Sequence, residues 1–215
     1  ISACLVGSEM CIRDREHPEE IIGNWKNEYT RPDQPLFVEL GCGKGGFISQ
    51  KAFLHPENNY LAIDLVDPML GLAKRKVEEV YTQGNRDIDN IILTRFDIER
   101  ILLILNKQDS IEGIYINFCN PWPRGKHHKK RLTYTRQLEH YKEFLKNSGK
   151  IYFKTDDDSL FNQSLESFKE AGYTIEKKTY DLEKEELTDL YSFDDDIQVC
   201  IYDDLTINIT ELLKQ

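Results

Sequence analysis

The stretch FVELGCGKGGF, residues 37–47, constrains the fold more than any other part of the chain. A short strand-like run ends in Gly41, Gly43, Gly45 and Gly46 and passes directly into FISQKAFL, which reads as a helix. Glycines at such a turn let the backbone take positive φ and let a ligand approach closely, with a helix N-terminus just beyond. The spacing of Gly41, Gly43 and Gly46 also fits the G-x-G-x-x-G of dinucleotide enzymes, a match that is weak by itself.

From Pro35 onward the chain alternates short apolar runs with longer amphipathic ones. PLFVEL (35–40), NYLAIDL (59–65), NIILTRF (90–96), IEGIYINF (111–118) and GKIYFKT (149–155) have strand length and β-branched or aromatic content. Between them, DPMLGLAKRKVEEVYTQ (67–83) reads as a helix with Asp67 at the N-cap and Pro68 at the first helical position. LTYTRQLEHYKEFLK (132–146) spaces Leu138, Tyr141, Phe144 and Leu145 at helical intervals, the pattern of a core-facing stripe. Strands alternating with helices predict an α/β fold, a Rossmann-like, doubly wound, mainly parallel sheet covered on both faces. Ligands bind such sheets beyond the carboxyl ends of the strands. A length of 215 residues suits one domain, and no internal repeat or low-complexity linker divides it.

Acids surround the glycine turn. Glu39 precedes it by two residues, Asp64 ends the second strand, and Asp97 follows the third in TRFDIER. An acid at the second strand end is suited to accept hydrogen bonds from ribose hydroxyls. A carboxylate facing the turn, as Glu39 would, repels a pyrophosphate but suits a ligand carrying a cationic sulfonium and an amino group. That weighs against a nicotinamide enzyme, and the set resembles the motifs of class I S-adenosylmethionine-dependent methyltransferases.

The second feature is NFCNPWPRGKHHKKRLT, residues 117–133, in a chain of net charge -10. Arg124, Lys126, Lys129, Lys130 and Arg131 place five cations within eight residues, just after the fourth strand and so on the same sheet edge as the glycine turn. A solvated basic face is the plain alternative, but a position beside a cofactor pocket favours phosphate contact. Salt screening limits the opposing field of the acidic remainder to about 10 Å, so local charge can still grip a polyanion. Trp122 can stack on a base, brace the pocket or simply pack.

Taken together, ELGCGKGGF, the proline-tryptophan-basic order of NFCNPWPRGKHHKKRLT, and IYFKTDDDSLF resemble the tRNA (guanine-N7-)-methyltransferase family over about Glu16 to Gln198. The resemblance implies that Glu39, Gly41, Gly43, Asp64, Asp97 and Asn120 hold S-adenosylmethionine, and that Asn120 and Asp156 serve the chemistry. It likewise implies that Arg124, Lys126, Lys129, Lys130, Arg131 and Asp156 meet the substrate tRNA, and that the product is 7-methylguanosine in the variable loop. Asn120 stands where many members carry aspartate. The family usually continues after this point with a Thr-x-Tyr-Glu motif, and VCIYDDLTINITELLKQ (199–215) lacks it. That departure keeps open a tRNA-binding but inactive chain, or a methyltransferase with another substrate.

The remaining features set boundaries. The opening ISACLVGSEMCIRDR has neither helical nor strand periodicity and resembles a translated sequencing adaptor, since Met10 to Asp14 can be encoded by ATG TGT ATA AGA GAC. Residues 1–15 are therefore set aside as non-native, with any native N-terminus missing; 16–198 form the methyltransferase domain, and 199–215 are an atypical ending, with Val199 to Tyr202 a candidate edge strand. The five cysteines, Cys4, Cys11, Cys42, Cys119 and Cys200, lack C-x-x-C pairing and read as free thiols of a cytoplasmic protein. No metal site and no membrane span are expected, and the chain is read as a monomer or homodimer.

Overall fold

The computed structural model describes residues 13–15, 17–180 and 198–203. Along the chain these form β1 (Arg13–Arg15), β2 (Leu36–Leu40), α1 (Gly46–Leu54), β3 (Asn59–Asp64), α2 (Asp67–Gln83), β4 (Ile91–Arg95), β5 (Ile111–Asn117), α3 (Thr135–Lys142), β6 (Leu145–Thr155), α4 (Asp158–Glu170), β7 (Thr174–Lys178) and β8 (Gln198–Asp203). The strands join in one sheet of order β1-β4-β3-β2-β5-β6-β8-β7. From β1 through β6 every pairing is parallel, while β8 runs antiparallel to both its neighbours.

Side-chain alternation explains the layers. Along β3, Leu61 and Ile63 face one side and Tyr60 and Ala62 the other, all fully buried, because a parallel sheet covered on both faces needs apolar residues on each. One core gathers Leu36, Val38, Leu40, Phe153, Phe161 and Phe168. The other packs Ile48 and Ala52 of α1 with Ala73, Val77 and Tyr81 of α2, whose spacing of four puts them on one helical stripe. Each such large side chain contributes roughly 1.5–3 kcal/mol on burial.

At the opposite, amino end of the sheet a polar knot anchors the incoming chain. Asp109, almost wholly buried, accepts backbone hydrogen bonds from Gly23 (2.9 Å), Trp25 (3.2 Å) and Asn106 (2.9 Å). Burial pushes its pKa up, and the three donors oppose that shift. The Trp25 indole donates to the Ile104 carbonyl at 2.7 Å, so its polar edge is satisfied inside the core.

Three expectations need correction in detail. Asp67 lies inside the first turn of α2, and Val66 takes the N-cap without a side-chain bond, because the Asp64 carboxylate already accepts the Val66 N–H. The helix expected over 132–146 shortens to α3, since residues 145–148 are drawn into β6, where Lys146 pairs with Glu112 of β5. The strand expected at an edge near 199–202 lies between β6 and β7 and begins at Gln198. Separately, Arg13–Arg15, within the segment set aside at the sequence level, pairs with the outer edge of β4. The rest of the 199–215 ending and most of residues 1–15 lie outside the described residues.

Candidate active site at the carboxyl edge of the sheet

The glycine turn leaves β2 with Gly41, Gly43 and Gly45 at φ of 80°, 52° and 74°. Gly41 N–H donates to the Ile63 carbonyl at 2.8 Å, tying the turn to the end of β3. Asp64 completes the fastening: one carboxylate oxygen accepts from Gly43 N–H at 2.8 Å and the other from Val66 N–H at 3.0 Å. Each oxygen keeps a lone pair for a hydroxyl donor. A Cβ on Gly43 would have nothing within 4 Å, so the turn faces open space there; one on Gly45 would meet Ala73 Cα at 2.8 Å, where α1 starts against α2.

Glu39 lies on the α1 and α2 side of the sheet and is 2% exposed. Its Oε1 accepts from the Asn117 side chain at 3.1 Å, while Glu39 Oε2 and Asn117 Oδ1 are buried without a partner. Burial above all raises the Glu39 pKa to about 8, the Asn117 hydrogen bond opposes the rise, and the nearby Asp64 charge adds to it. Two unsatisfied acceptors at a buried strand end are costly unless a donor or cation meets them.

Asp97 follows β4 and accepts the Glu99 N–H at 3.0 Å, starting the short 3-10 helix Ile98–Leu103. With Leu65, Leu70, Phe96 and Lys74 it lines a cleft of about 650 Å³ between the ends of β3 and β4 and the first turns of α2. The apolar part of the lining, Leu65, Leu70 and Phe96, beside the Asp97 carboxylate suits a flat heterocycle bearing an amino donor; Asp67, Lys74 and Arg95 also line the cleft.

The loop after β5 contains two residues other than glycine in the left-handed region, Phe118 (φ 48°) and Trp122 (φ 42°). Such strain is held by its surroundings. Phe118 N–H donates to Lys154 of β6 at 2.8 Å, and its ring is 48% exposed above the Lys154 ammonium. Asn120 is exposed and its Oδ1 accepts from Trp122 N–H at 2.9 Å, a local turn that occupies part of the carbonyl. Beyond it, Gly125–Lys130 forms a 3-10 helix with Arg124, Lys126, Lys129 and Lys130 exposed. Trp122 packs against this helix, its ring 5.7 Å from the His127 ring and 5.2 Å from the Lys130 ammonium. Arg131 differs from the other four cations: it is 6% exposed, donating from Nε to the Pro121 carbonyl at 2.7 Å and from Nη1 to Gln163 at 2.6 Å.

Asp156 sits exposed in the bend after β6. Its neighbour Asp157 caps α4, accepting the Leu160 N–H at 2.7 Å, so the three consecutive aspartates divide between a free bend position, a cap and the first helical turn. The sheet thus brings Glu39, Gly41, Gly43, Asp64, Asp97, Asn120 and Asp156 to one edge, with four exposed cations beside them; Arg131 is turned inward. Asn117 and Gln163 were not singled out in sequence, because an amide at a strand end or on an exposed helix face has no signature until its partner is known. Among the described residues, no helix is long and apolar enough to cross a membrane and no group of three metal-ligating side chains converges.

Comparison with known proteins agrees with this geometry. A family model described as "Putative methyltransferase" matches residues 33–195. A tRNA (guanine-N(7)-)-methyltransferase of Clostridium beijerinckii is 54% identical over 166 residues, covering 77% of this chain and 75% of that protein. One of Clostridium perfringens is 50% identical over 174 residues, covering 81% and 80%. Among solved structures, a methyltransferase from Pyrococcus furiosus superposes with a TM-score of 0.56 at 16% identity, covering 80% of this chain and 75% of that one. A precorrin-6y C5,15-methyltransferase from Geobacter metallireducens gives 0.54 at 14% identity, covering 83% and 84%, and both establish the class I methyltransferase fold. With half of all positions shared over three quarters of its length, the chain belongs to the tRNA (guanine-N7-)-methyltransferase family.

Proposed function

We propose that the chain transfers a methyl group from S-adenosylmethionine to N7 of a guanosine in tRNA, in the variable loop, as a cytoplasmic enzyme whose catalytic unit is residues 16–198. One juxtaposition carries the reading. A buried carboxylate oxygen of Glu39 without a partner stands on the same sheet edge as an exposed cationic helix. The residues fit the cofactor: the orphan oxygens of Glu39 and Asn117 suit a cationic amino end, Asp64 a ribose, and the cleft at Asp97 an adenine. When bound, S-adenosylmethionine supplies an electrophilic methyl group on a positively charged sulfur.

Guanine N7 carries a lone pair and no proton, so no residue needs to act as a general base. The chain's task is to align the base, exclude water and stabilise the positive charge that grows on the purine. Asp156 offers a full charge for this, and Asn120 the lone pair left after it accepts the Trp122 N–H. Arg124, Lys126, Lys129 and Lys130 bind phosphates and hold the loop in register. The test is labelling of unmodified tRNA beside tRNA transcribed with 7-deazaguanosine. Transfer to the first and none to the second is expected; equal labelling of both would refute N7 as the acceptor.

A further inference from the structure

We infer that Arg131 and Gln163 form a latch that holds the Asn120–Trp122 bend in its working position, making Arg131 a positioning residue and not a phosphate contact. The inference rests on the methyl-transfer reading only for its kinetic arm. The bend is intrinsically strained, with Trp122 at φ 42°, and Asn120 restrains it from within by accepting the Trp122 N–H. Arg131 restrains it from outside. Its Nε donates at 2.7 Å to Pro121 O, the carbonyl between Asn120 and Trp122, and its Nη1 donates at 2.6 Å to Gln163 Oε1 on α4. Gln163 is itself oriented by donating to Ser159 Oγ at 2.8 Å, one turn earlier on the same helix.

The helix reached by this latch also carries the other candidate catalytic bend. Asp157, whose charge favours the Arg131 guanidinium, caps α4 directly after Asp156, and its own N–H is held by Thr155 Oγ1 at 3.2 Å. A second tie, Thr133 to Ser164 at 2.6 Å, fastens the end of the basic segment to α4 just beyond the latch. The loop after β5 and the loop after β6 are therefore coupled through one buried guanidinium. With the side chain 6% exposed and two of its five donors, Nε and Nη1, spent on Pro121 and Gln163, the guanidinium faces the protein and presents little of itself to a phosphate.

The experiment compares Arg131→Lys, Gln163→Ala and Gln163→Glu with the parent in two assays. Gln163 is exposed, so its substitutions should leave the fold intact, and glutamate keeps the acceptor. In the kinetic assay kcat should fall about tenfold for Arg131→Lys and Gln163→Ala, a loss equivalent to about 1.4 kcal/mol, and stay near parental for Gln163→Glu. KM for tRNA and the salt dependence of tRNA binding should not move. The second assay needs neither tRNA nor turnover: iodide quenching of fluorescence. Trp25 is fully buried, so the quenchable signal is that of Trp122, and it should rise severalfold in the two weakened variants. If the parent fails to methylate tRNA but the quenching follows the latch, the functional reading falls and the latch stands. Unchanged quenching, or a raised KM with a shallower salt slope at constant kcat, would overturn the latch.

Discussion

Glu39 should make cofactor binding release a proton. Burial lifts its carboxyl to about 8, so at pH 7 roughly nine tenths of the cofactor-free protein holds it protonated. A cation placed beside the orphan Oε2 would favour the ionised form, and nearly one proton would leave for each cofactor bound at neutral pH. Affinity should then climb close to tenfold per pH unit below about 8 and level off above it, a rise of roughly 50-fold between pH 6 and pH 8. Stability of the cofactor-free protein should move the opposite way. The folded pKa lies above the ordinary carboxylate value, so this group's contribution is complete below that value and is lost as pH rises through about 8. Calorimetry in buffers of different ionisation enthalpy counts the proton directly. The Glu39→Gln variant, which cannot ionise, separates this proton from any released by the cofactor's own amino group. Equal proton release in parent and variant, with parallel affinity profiles, would refute the reasoning.

Three further outcomes follow from the same geometry. Gly45→Ala should lower Tm by several degrees, because its Cβ would meet Ala73 at 2.8 Å at a φ of 74°, whereas Gly43→Ala, strained by its φ of 52° but meeting nothing within 4 Å, should lower Tm less and cofactor affinity more; paired thermal melts with and without S-adenosylmethionine distinguish them. Replacing Lys126 and Lys129 together by glutamine should raise KM for tRNA and reduce the salt slope of binding by about 1.4 to 1.8, leaving cofactor affinity unchanged in a filter-binding and calorimetric comparison. Asn120→Ala should lower kcat/KM about tenfold by freeing the Trp122 N–H, while Asn120→Asp, which keeps an acceptor there, should stay within a few-fold of the parent in steady-state kinetics.

The parts of this molecule visible in sequence are those governed by local chemistry. α2 ends where its periodicity predicts and begins one residue earlier than the expected Asp67 cap implies, since a stripe of Ala73, Val77 and Tyr81 and a proline in the first turn specify a helix without outside help. The strands β2 to β5 were legible because a doubly covered parallel sheet demands apolar residues at successive positions. What depended on a distant partner was not. Lys146 belongs to a strand because Glu112 lies opposite it, and Gln198 to Asp203 takes an interior place because β6 and β7 leave a gap between them. At the site, Glu39, Asp64 and Asp97 announce themselves as acids at strand ends. Arg131 looks in sequence like its four basic neighbours, and only the approach of Pro121 and α4 distinguishes it.

The measurement closest to the central claim is transfer of labelled methyl from S-adenosylmethionine to tRNA lacking 7-methylguanosine, followed by digestion and identification of the labelled nucleoside. Labelled 7-methylguanosine, mapped to the variable loop, is the predicted result. Cofactor binding and tRNA binding without any transfer, or label recovered in a different nucleoside, would contradict it.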